Sequence, residues 1–233
     1  MFILPFLMST SRPPVTACLV SWKRPNNLPK IISHLRKFPF IDDVLIWNNN
    51  PSVKLPFMGE NVRVIQSHYN VITYGRYLCT YHARHDAIYT QDDDCLVTGI
   101  EQIYDAFLRD PVRIAHGLQN THVSTHSDYL YDGAQMSLVG WGAFFLRDWV
   151  KVLDSYIAKH GRDNIFLRES DRIFSLLLNR RHTACLLDAD ELVGAKDIES
   201  LWKQPDHFAK RKEIVHRALR ILGKDHCLQA HSL

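Results

Sequence analysis

The feature that most constrains the fold is a set of short, almost continuous apolar segments in the first hundred residues. VTACLVSW (15–22) is rich in β-branched residues, and DDVLIWNNNPS (42–52) and DAIYTQ (86–91) contain similar runs. A strand whose sequence is apolar throughout is covered on both faces, which is typical of a parallel sheet flanked by helices. ENVRVIQS (60–67) adds a strand with alternating polarity.

Segments with helical periodicity separate and follow these strands. Residues 26–38 carry apolar side chains at helical spacing, and Pro39 follows them. Residues 75–84, 98–110 and 169–181 are also predicted to be helical, because their apolar residues recur on one face. The order of elements predicts an α/β fold with a mixed, mostly parallel, Rossmann-like sheet flanked by helices in a single domain.

Composition narrows the class of protein. The 233 residues, 46% hydrophobic and 23% charged, suffice for one large α/β domain without disulfides or a structural metal. A net charge of +3 argues against a nucleic-acid partner. Five widely spaced cysteines predict reduced thiols and a cytoplasmic location. The apolar start MFILPFLM is too short for a signal peptide or a transmembrane segment.

Three consecutive acids, Asp92, Asp93 and Asp94, directly follow the strand predicted at 86–91. Side chains alternate along an extended chain, so Asp92 and Asp94 are expected to point the same way. Two carboxylates about 4 Å apart repel by about 4 kcal/mol at an effective dielectric near 20. A divalent cation reverses that interaction, and oxygen ligands suit Mg²⁺ or Mn²⁺. The acids therefore predict a metal site completed by water and a substrate diphosphate.

Polar residues also follow the other predicted strands. Trp22, Lys23 and Arg24 come after the first strand, and Trp47 and Asn48 end the second. In an open α/β sheet, ligands bind beyond the carboxyl ends of the strands. These side chains are therefore expected to meet the three acids at one edge of the sheet.

Four short motifs give the chain a family resemblance. They are VLIWNNNPS (44–52), AIYTQDDDC (87–95), ESDRIF (169–174) and LWKQPDHFAKR (201–211). Together they resemble the nucleotide-sugar glycosyltransferases of the GT-A fold, and most closely the exostosin-like, heparan-type domain similar to family 64. The resemblance implies a GT-A fold.

The resemblance also implies a domain organisation. The glycosyltransferase domain is expected at 15–215, with a nucleotide-sugar half at 15–97 and an acceptor half at 98–215. Residues 1–14 are then an N-terminal leader and 216–233 a basic C-terminal helix and tail. The basic residues of the last helix leave a peripheral membrane contact open.

The resemblance assigns roles to individual residues. Asp92, Asp94 and His207 are the expected ligands of Mn²⁺ or Mg²⁺. The residues expected to bind the nucleotide-sugar donor are Arg24, Asn48, Arg76, Asp92, Asp93 and Trp202.

Asp171 and Arg211 are the expected catalytic residues. Glu169 is the alternative catalytic acid, because the family has adjacent Glu and Asp whereas this chain has Glu169, Ser170 and Asp171. Two positions two apart on a helix diverge by about 200°, so Glu169 and Asp171 cannot both face one site. GWGAFF (140–145) is expected to let the backbone approach a sugar, with Trp141 and Phe144 as acceptor platforms.

The implied function is metal-dependent transfer of a sugar from a nucleoside-diphosphate sugar, with UDP favoured, to a hydroxyl of a glycan or glycoconjugate. Retention of configuration is expected, and inversion with Asp171 as general base is the alternative. A nucleotidyltransferase fits less well, because SWKRPNNLPK lacks the expected Gly-rich loop. A non-catalytic sugar-nucleotide-binding module is a further alternative. His116, His122 and His126 do not match the spacing of a zinc site, so a surface or acceptor loop is expected there.

Overall fold

The computed structural model describes residues 12–119, 136–195 and 201–224. The strands in these residues are β1 Val15–Ser21, β2 Ile41–Asn48, β3 Val62–Gln66, β4 Ala87–Gln91, β5 Cys95–Val97, β6 Ile114–Leu118, β7 Ala143–Leu146, β8 His182–Leu186 and β9 Ala189–Glu191. The α-helices are α1 Leu28–Leu35, α2 Gly75–Thr80, α3 Ile100–Arg109, α4 Val152–His160, α5 Asn164–Leu178 and α6 His207–Ile221.

The main sheet has seven strands in the order β3-β2-β1-β4-β7-β6-β8. Strand β7 runs antiparallel to both of its neighbours, and the other pairs are parallel. The predicted fold class, a mixed and mostly parallel sheet flanked by helices, is therefore confirmed. The apolar sequences of β1 and β4 reflect their central positions, where every residue but Val20 of β1 is buried.

Two hydrophobic layers cover the sheet, and neighbouring residues of β7 separate them. Phe144 points to the layer that contains α1 and α3, where its ring lies 4.9 Å from Tyr104. Phe145 points to the layer of α2, α5 and α6, where its ring lies 5.0 Å from Phe174. This is the alternation that a strand imposes on successive side chains.

The register of the strands brings three carboxyl ends to one edge. Ser21 at the end of β1 pairs with Asn48 at the end of β2, and Leu19 pairs with Gln91 at the end of β4. The three acids that follow Gln91 therefore lie beside the segments that follow β1 and β2, as the sequence predicted. None of the helices within the described ranges combines the length and apolar character that are needed to cross a membrane.

Several sequence-based expectations were wrong. Phe144 is fully buried in the core and cannot be an acceptor platform. His116 lies buried in β6 rather than in a polar loop, whereas His122 and His126 fall outside the described residues. Helix α5 begins at Asn164, five positions before the predicted 169, because Asp163 caps it by accepting a hydrogen bond from the amide of Phe166.

Candidate functional site

The centre of the sheet edge is a buried guanidinium, Arg76, held between two carboxylates. Its side chain is 3% exposed, Nη2 donates to Oδ1 of Asp92, and Nε lies 3.3 Å from Oδ1 of Asp171. The hydroxyl of Tyr77 donates to the same Asp171 oxygen at 2.8 Å. Burial alone would lower the pKa of Arg76, but the charges of Asp171 and Asp92 raise it above its usual value. Arg76 therefore stays a cation.

A glycine lets helix α2 bring Arg76 to this position. A Cβ on Gly75 would lie 2.6 Å from Cδ1 of Trp47 in β2, which is closer than real side chains approach. Gly75 is the first residue of α2, and Arg76 follows it. The absence of a side chain at Gly75 therefore sets how closely Arg76 approaches the sheet.

On the other side of the acids lies Arg24, in the segment after β1. Its Nη1 donates to Oδ1 of Asp93 at 3.1 Å and lies 3.4 Å from Oδ2 of Asp94. Its Nε and Nη2 both donate to the carbonyl of Gly194, at 3.0 and 2.7 Å. One arginine thus links the acids to the segment after β9.

The second sheet, which the sequence did not predict, supports the same link. Strand β5 directly follows the acids and pairs antiparallel with β9. The amide of Leu192 then donates to the carbonyl of Asp94 at 2.7 Å. The side chain of Asn27 donates to the carbonyls of Asp93 and Val193 at 2.8 and 2.9 Å. These bonds fix the backbone on which the carboxylates stand.

The three acids differ in their access to solvent. The side chains of Asp92 and Asp94 are 41% and 24% exposed, whereas that of Asp93 is 10% exposed and engaged by Arg24. Burial, and after it the charge of Asp92, raises the pKa of Asp94 to about 7. Asp92 and Asp94 are thus partly open carboxylates that repel each other, a setting that a divalent cation stabilises.

The described residues could supply only part of the coordination of a metal ion, and a bound ligand would have to supply the rest. Among the described residues, no group of three or more His, Cys, Asp or Glu side chains is arranged to hold a metal ion. Asp92 and Asp94 could hold Mn²⁺ or Mg²⁺ if water or phosphate oxygens supplied the other positions. Nη1 of Arg76 is buried and has no hydrogen-bond partner among the described residues, so a donor for an anion lies beside Asp92.

Gly140 determines the position of Asp92. The carbonyl of Gly140 accepts a hydrogen bond of 2.8 Å from the amide of Asp92. A Cβ on Gly140 would lie only 2.2 Å from Oδ2 of Asp92. The sequence suggested that glycines of this segment let the backbone approach a sugar. In the structure, Gly140 lets the backbone approach the Asp92 carboxylate.

A second group of predicted residues meets at the interface of α5 and α6. Oε1 of Glu169 lies 3.5 Å from Nδ1 of His207, and Oε2 lies 3.5 Å from Nε of Arg211. Burial, followed by the charges of Arg211, Arg172 and Arg168, lowers the pKa of His207 to about 4. His207 is therefore neutral at pH 7. Glu169 thus contacts α6, whereas Asp171 contacts Arg76 and Tyr77 on α2.

Two residues predicted to bind the nucleotide-sugar donor, Asn48 and Trp202, have no described contact with the three acids. Asn48 is buried, and its amide nitrogen donates to the carbonyl of Val53 at 2.6 Å and to Oε1 of Gln66 at 2.9 Å. These contacts favour a supporting role for Asn48, and its contact with a nucleotide stays a prediction. Trp202 lies in the short 3₁₀ helix Leu201–Lys203, but its side chain falls outside the described part of the structure.

The model of the glycosyl transferase family 64 domain matches residues 15–231 of the chain. The chain belongs to this family. The predicted family and the prediction of a glycosyltransferase are thereby confirmed. Among curated proteins, no sequence matches the chain.

Solved structures with the same fold are also glycosyltransferases. The mannosyltransferase PcManGT from Pyrobaculum calidifontis, in complex with GDP-Man and Mn²⁺, is 12% identical with a TM-score of 0.63, over 95% of this chain and 71% of that chain. TarS 1–349 from S. aureus, in complex with UDP-GlcNAc, is 13% identical with a TM-score of 0.58, over 92% and 70%.

A third structure is the glucosyl-3-phosphoglycerate synthase GpgS from Mycobacterium tuberculosis, in complex with Mn²⁺, UDP and glucosyl-3-phosphoglycerate. It is 9% identical with a TM-score of 0.54, over 91% of this chain and 80% of that chain. At these identities the likeness shows the GT-A fold that the sequence implied.

The sequence did not reveal the contacts that four residues make at the site: Asn27, Tyr77, Gly140 and Gly194. Each contact joins residues that are far apart along the chain. Tyr77 follows Arg76 directly, which is the one local signal that could have indicated it.

We expect Gly140→Ala to lower the free energy of unfolding by about 1–3 kcal/mol, because the new Cβ collides with the Asp92 carboxylate. Removing that carboxylate in Asp92→Ala should make the same glycine substitution much less harmful. Chemical denaturation of the four proteins in this double-mutant cycle measures the difference.

Gly99→Ala is the matched control for this cycle, because its Cβ would meet the flexible side chain of Leu187 rather than an acid. Its effect should be the same with and without Asp92. Equal destabilisation by Gly140→Ala in both backgrounds would contradict the contact between Gly140 and Asp92.

Proposed function

We propose that the protein is a metal-dependent, retaining glycosyltransferase that moves a sugar from a nucleoside-diphosphate sugar to a hydroxyl of a glycan or glycoconjugate. The observation that carries the proposal is the pair of partly open carboxylates, Asp92 and Asp94, between the cations Arg24 and Arg76. Acids and cations at one sheet edge are what a metal-bound diphosphate requires. In this proposal, residues 15–97 bind the donor and 98–215 the acceptor.

Asp92 and Asp94 are the residues that would hold Mn²⁺ or Mg²⁺, with His207 as a further ligand in the proposal. When bound, the metal neutralises negative charge on the diphosphate and so favours its departure. The solved neighbours PcManGT and GpgS were determined with Mn²⁺, which supports this choice of ion.

The cations of the chain bind and stabilise the diphosphate. Arg76 is fixed by Asp92 and Asp171, so it can act on developing charge without reorganising. Its buried Nη1, which donates to no partner within residues 12–119, 136–195 and 201–224, can donate to a phosphate oxygen. Arg211 supplies a further fixed cation, and Arg24 holds Asp93 towards the donor ribose or sugar.

In the transfer step, the acceptor hydroxyl oxygen forms a bond to the anomeric carbon of the sugar. The bond from that carbon to the diphosphate oxygen breaks, and its electron pair stays on the diphosphate. The proton of the hydroxyl passes to the departing diphosphate oxygen. Asp171 stabilises the positive charge on the sugar, and its Oδ1 is held by Arg76 and Tyr77. Attack on the face that the diphosphate leaves retains the configuration.

UDP is the proposed nucleotide, on the basis of the family. TarS and GpgS were solved with uridine nucleotides, which agrees with this choice, whereas PcManGT was solved with GDP-Man.

We expect UDP with Mn²⁺ to raise the midpoint of thermal unfolding, and GDP, dTDP and CMP to raise it less. A ligand at 100 times its dissociation constant adds about 2.7 kcal/mol of stability. The shift should require both nucleotide and metal, and it should be lost in Asp94→Asn, because one of the two metal-binding carboxylates is then neutral.

The control for this experiment is Asp148→Asn, which removes an exposed acid that pairs with Lys151 away from the acidic edge. It should respond like the wild type. If no nucleotide stabilises the wild type in the presence of Mn²⁺ or Mg²⁺, the proposed function is wrong.

We expect Asp171→Asn to lower kcat by at least about 100-fold and to weaken UDP binding much less, because Asp171 is proposed to act on the sugar and Asp92 still holds Arg76 beside the diphosphate. NMR of the wild-type product should show the anomeric configuration of the donor. An inverted product would contradict retention and make Asp171 the general base.

A further inference from the structure

Glu169 is a buried carboxylate that the proposed transfer step does not use. Its side chain is 5% exposed, and its two oxygens face different partners on α6, His207 and Arg211, each at 3.5 Å. A buried charge is unfavourable unless it is paired, and Arg211 supplies the opposite charge, whereas His207 is neutral at pH 7.

The backbone of α5 is interrupted at this residue. Glu169 has φ −112° and ψ 22°, which are not helical values, whereas the helix continues on both sides. Two carboxylates two positions apart therefore serve two different helices. Glu169 contacts α6, and Asp171 contacts Arg76 and Tyr77 on α2.

The charges around Glu169 are mostly positive. Arg211, Arg172 and Arg168 all act on it as cations, and Asp171 is the nearby acid. Guanidinium groups repel one another, and Glu169 is the carboxylate paired with Arg211, whereas Arg168 pairs with Asp206. A glutamine there would preserve the volume of the side chain and remove that counter-charge.

We infer that Glu169 is a positioning residue that holds Arg211 where it meets the donor diphosphate and His207 where it meets the metal bound to that diphosphate. The inference rests on the proposed function, because it takes the metal-bound diphosphate as the ligand of that pair. Glu169 itself does not touch the substrate. It acts across the α5–α6 interface, where Oε2 forms an ion pair with the guanidinium of Arg211 and Oε1 lies beside the ring of His207.

Glu169→Gln should weaken the binding of UDP with Mn²⁺ by about 10–100-fold, the range seen when a group that orients a ligand-binding side chain is lost. Titration calorimetry measures this directly. The effect should depend on Arg211, so Arg211→Ala and the double variant Glu169→Gln/Arg211→Ala should bind UDP equally weakly. Glu169→Asp, which keeps the charge, should recover part of the affinity.

Glu213→Gln is the matched control, because Glu213 makes an ion pair with Arg217 on the same helix, away from Glu169. It should bind UDP like the wild type. Unchanged affinity in Glu169→Gln, or additive losses in the double variant, would overturn the inference.

Two further outcomes are decisive. If Glu169→Gln does not fold, Glu169→Asp and its double variant with Arg211→Ala take its place, and failure of Glu169→Asp to fold would assign Glu169 to stability alone and overturn the inference. If the wild type itself binds no nucleotide, the proposed function fails first. A wild type that binds UDP and a Glu169→Gln that binds it equally would remove this inference and leave the proposed function standing.

Discussion

A guanidinium buried between two carboxylates is the interaction on which the rest of the site depends. Arg76 connects the acids after β4 to Asp171 on α5, so it joins a strand end to a helix across the sheet edge. Removing one member of such a buried group typically costs about 3–5 kcal/mol, because the remaining charges lose their partner. Gly75 makes the arrangement possible, since it allows α2 to lie directly against Trp47. The charges of Arg76, Asp92 and Asp171 therefore stabilise the fold and also form the proposed binding site.

From this centre the site extends in two directions. Towards β1, Arg24 joins Asp93 and Asp94 to the segment after β9, and Asn27 reinforces that contact. Towards α6, the interruption of α5 directs a second carboxylate to another arginine. The result is a row of cations alternating with acids, in which Asp92 and Asp94 are the acids that remain partly open. A metal-bound diphosphate has the charge distribution that complements this row.

The sequence predicted what depends on local pattern. The apolar runs indicated the central strands, and the position of the acids after Gln91 indicated the edge at which they lie. The features that it did not predict are either too short to show a pattern or depend on distant residues. Strands β5 and β9 are three residues each, too short for a periodicity to be recognised. The contact of Gly140 with Asp92 and the break at Glu169 arise from packing, which residue type alone does not reveal.

The most direct test of the account is anomalous diffraction at the manganese edge from crystals grown with UDP and Mn²⁺. The proposed metal site predicts one strong peak beside the carboxylates of Asp92 and Asp94, with the diphosphate of the nucleotide between that peak and Arg76. A bound nucleotide without manganese at these acids, or manganese bound elsewhere, would contradict it.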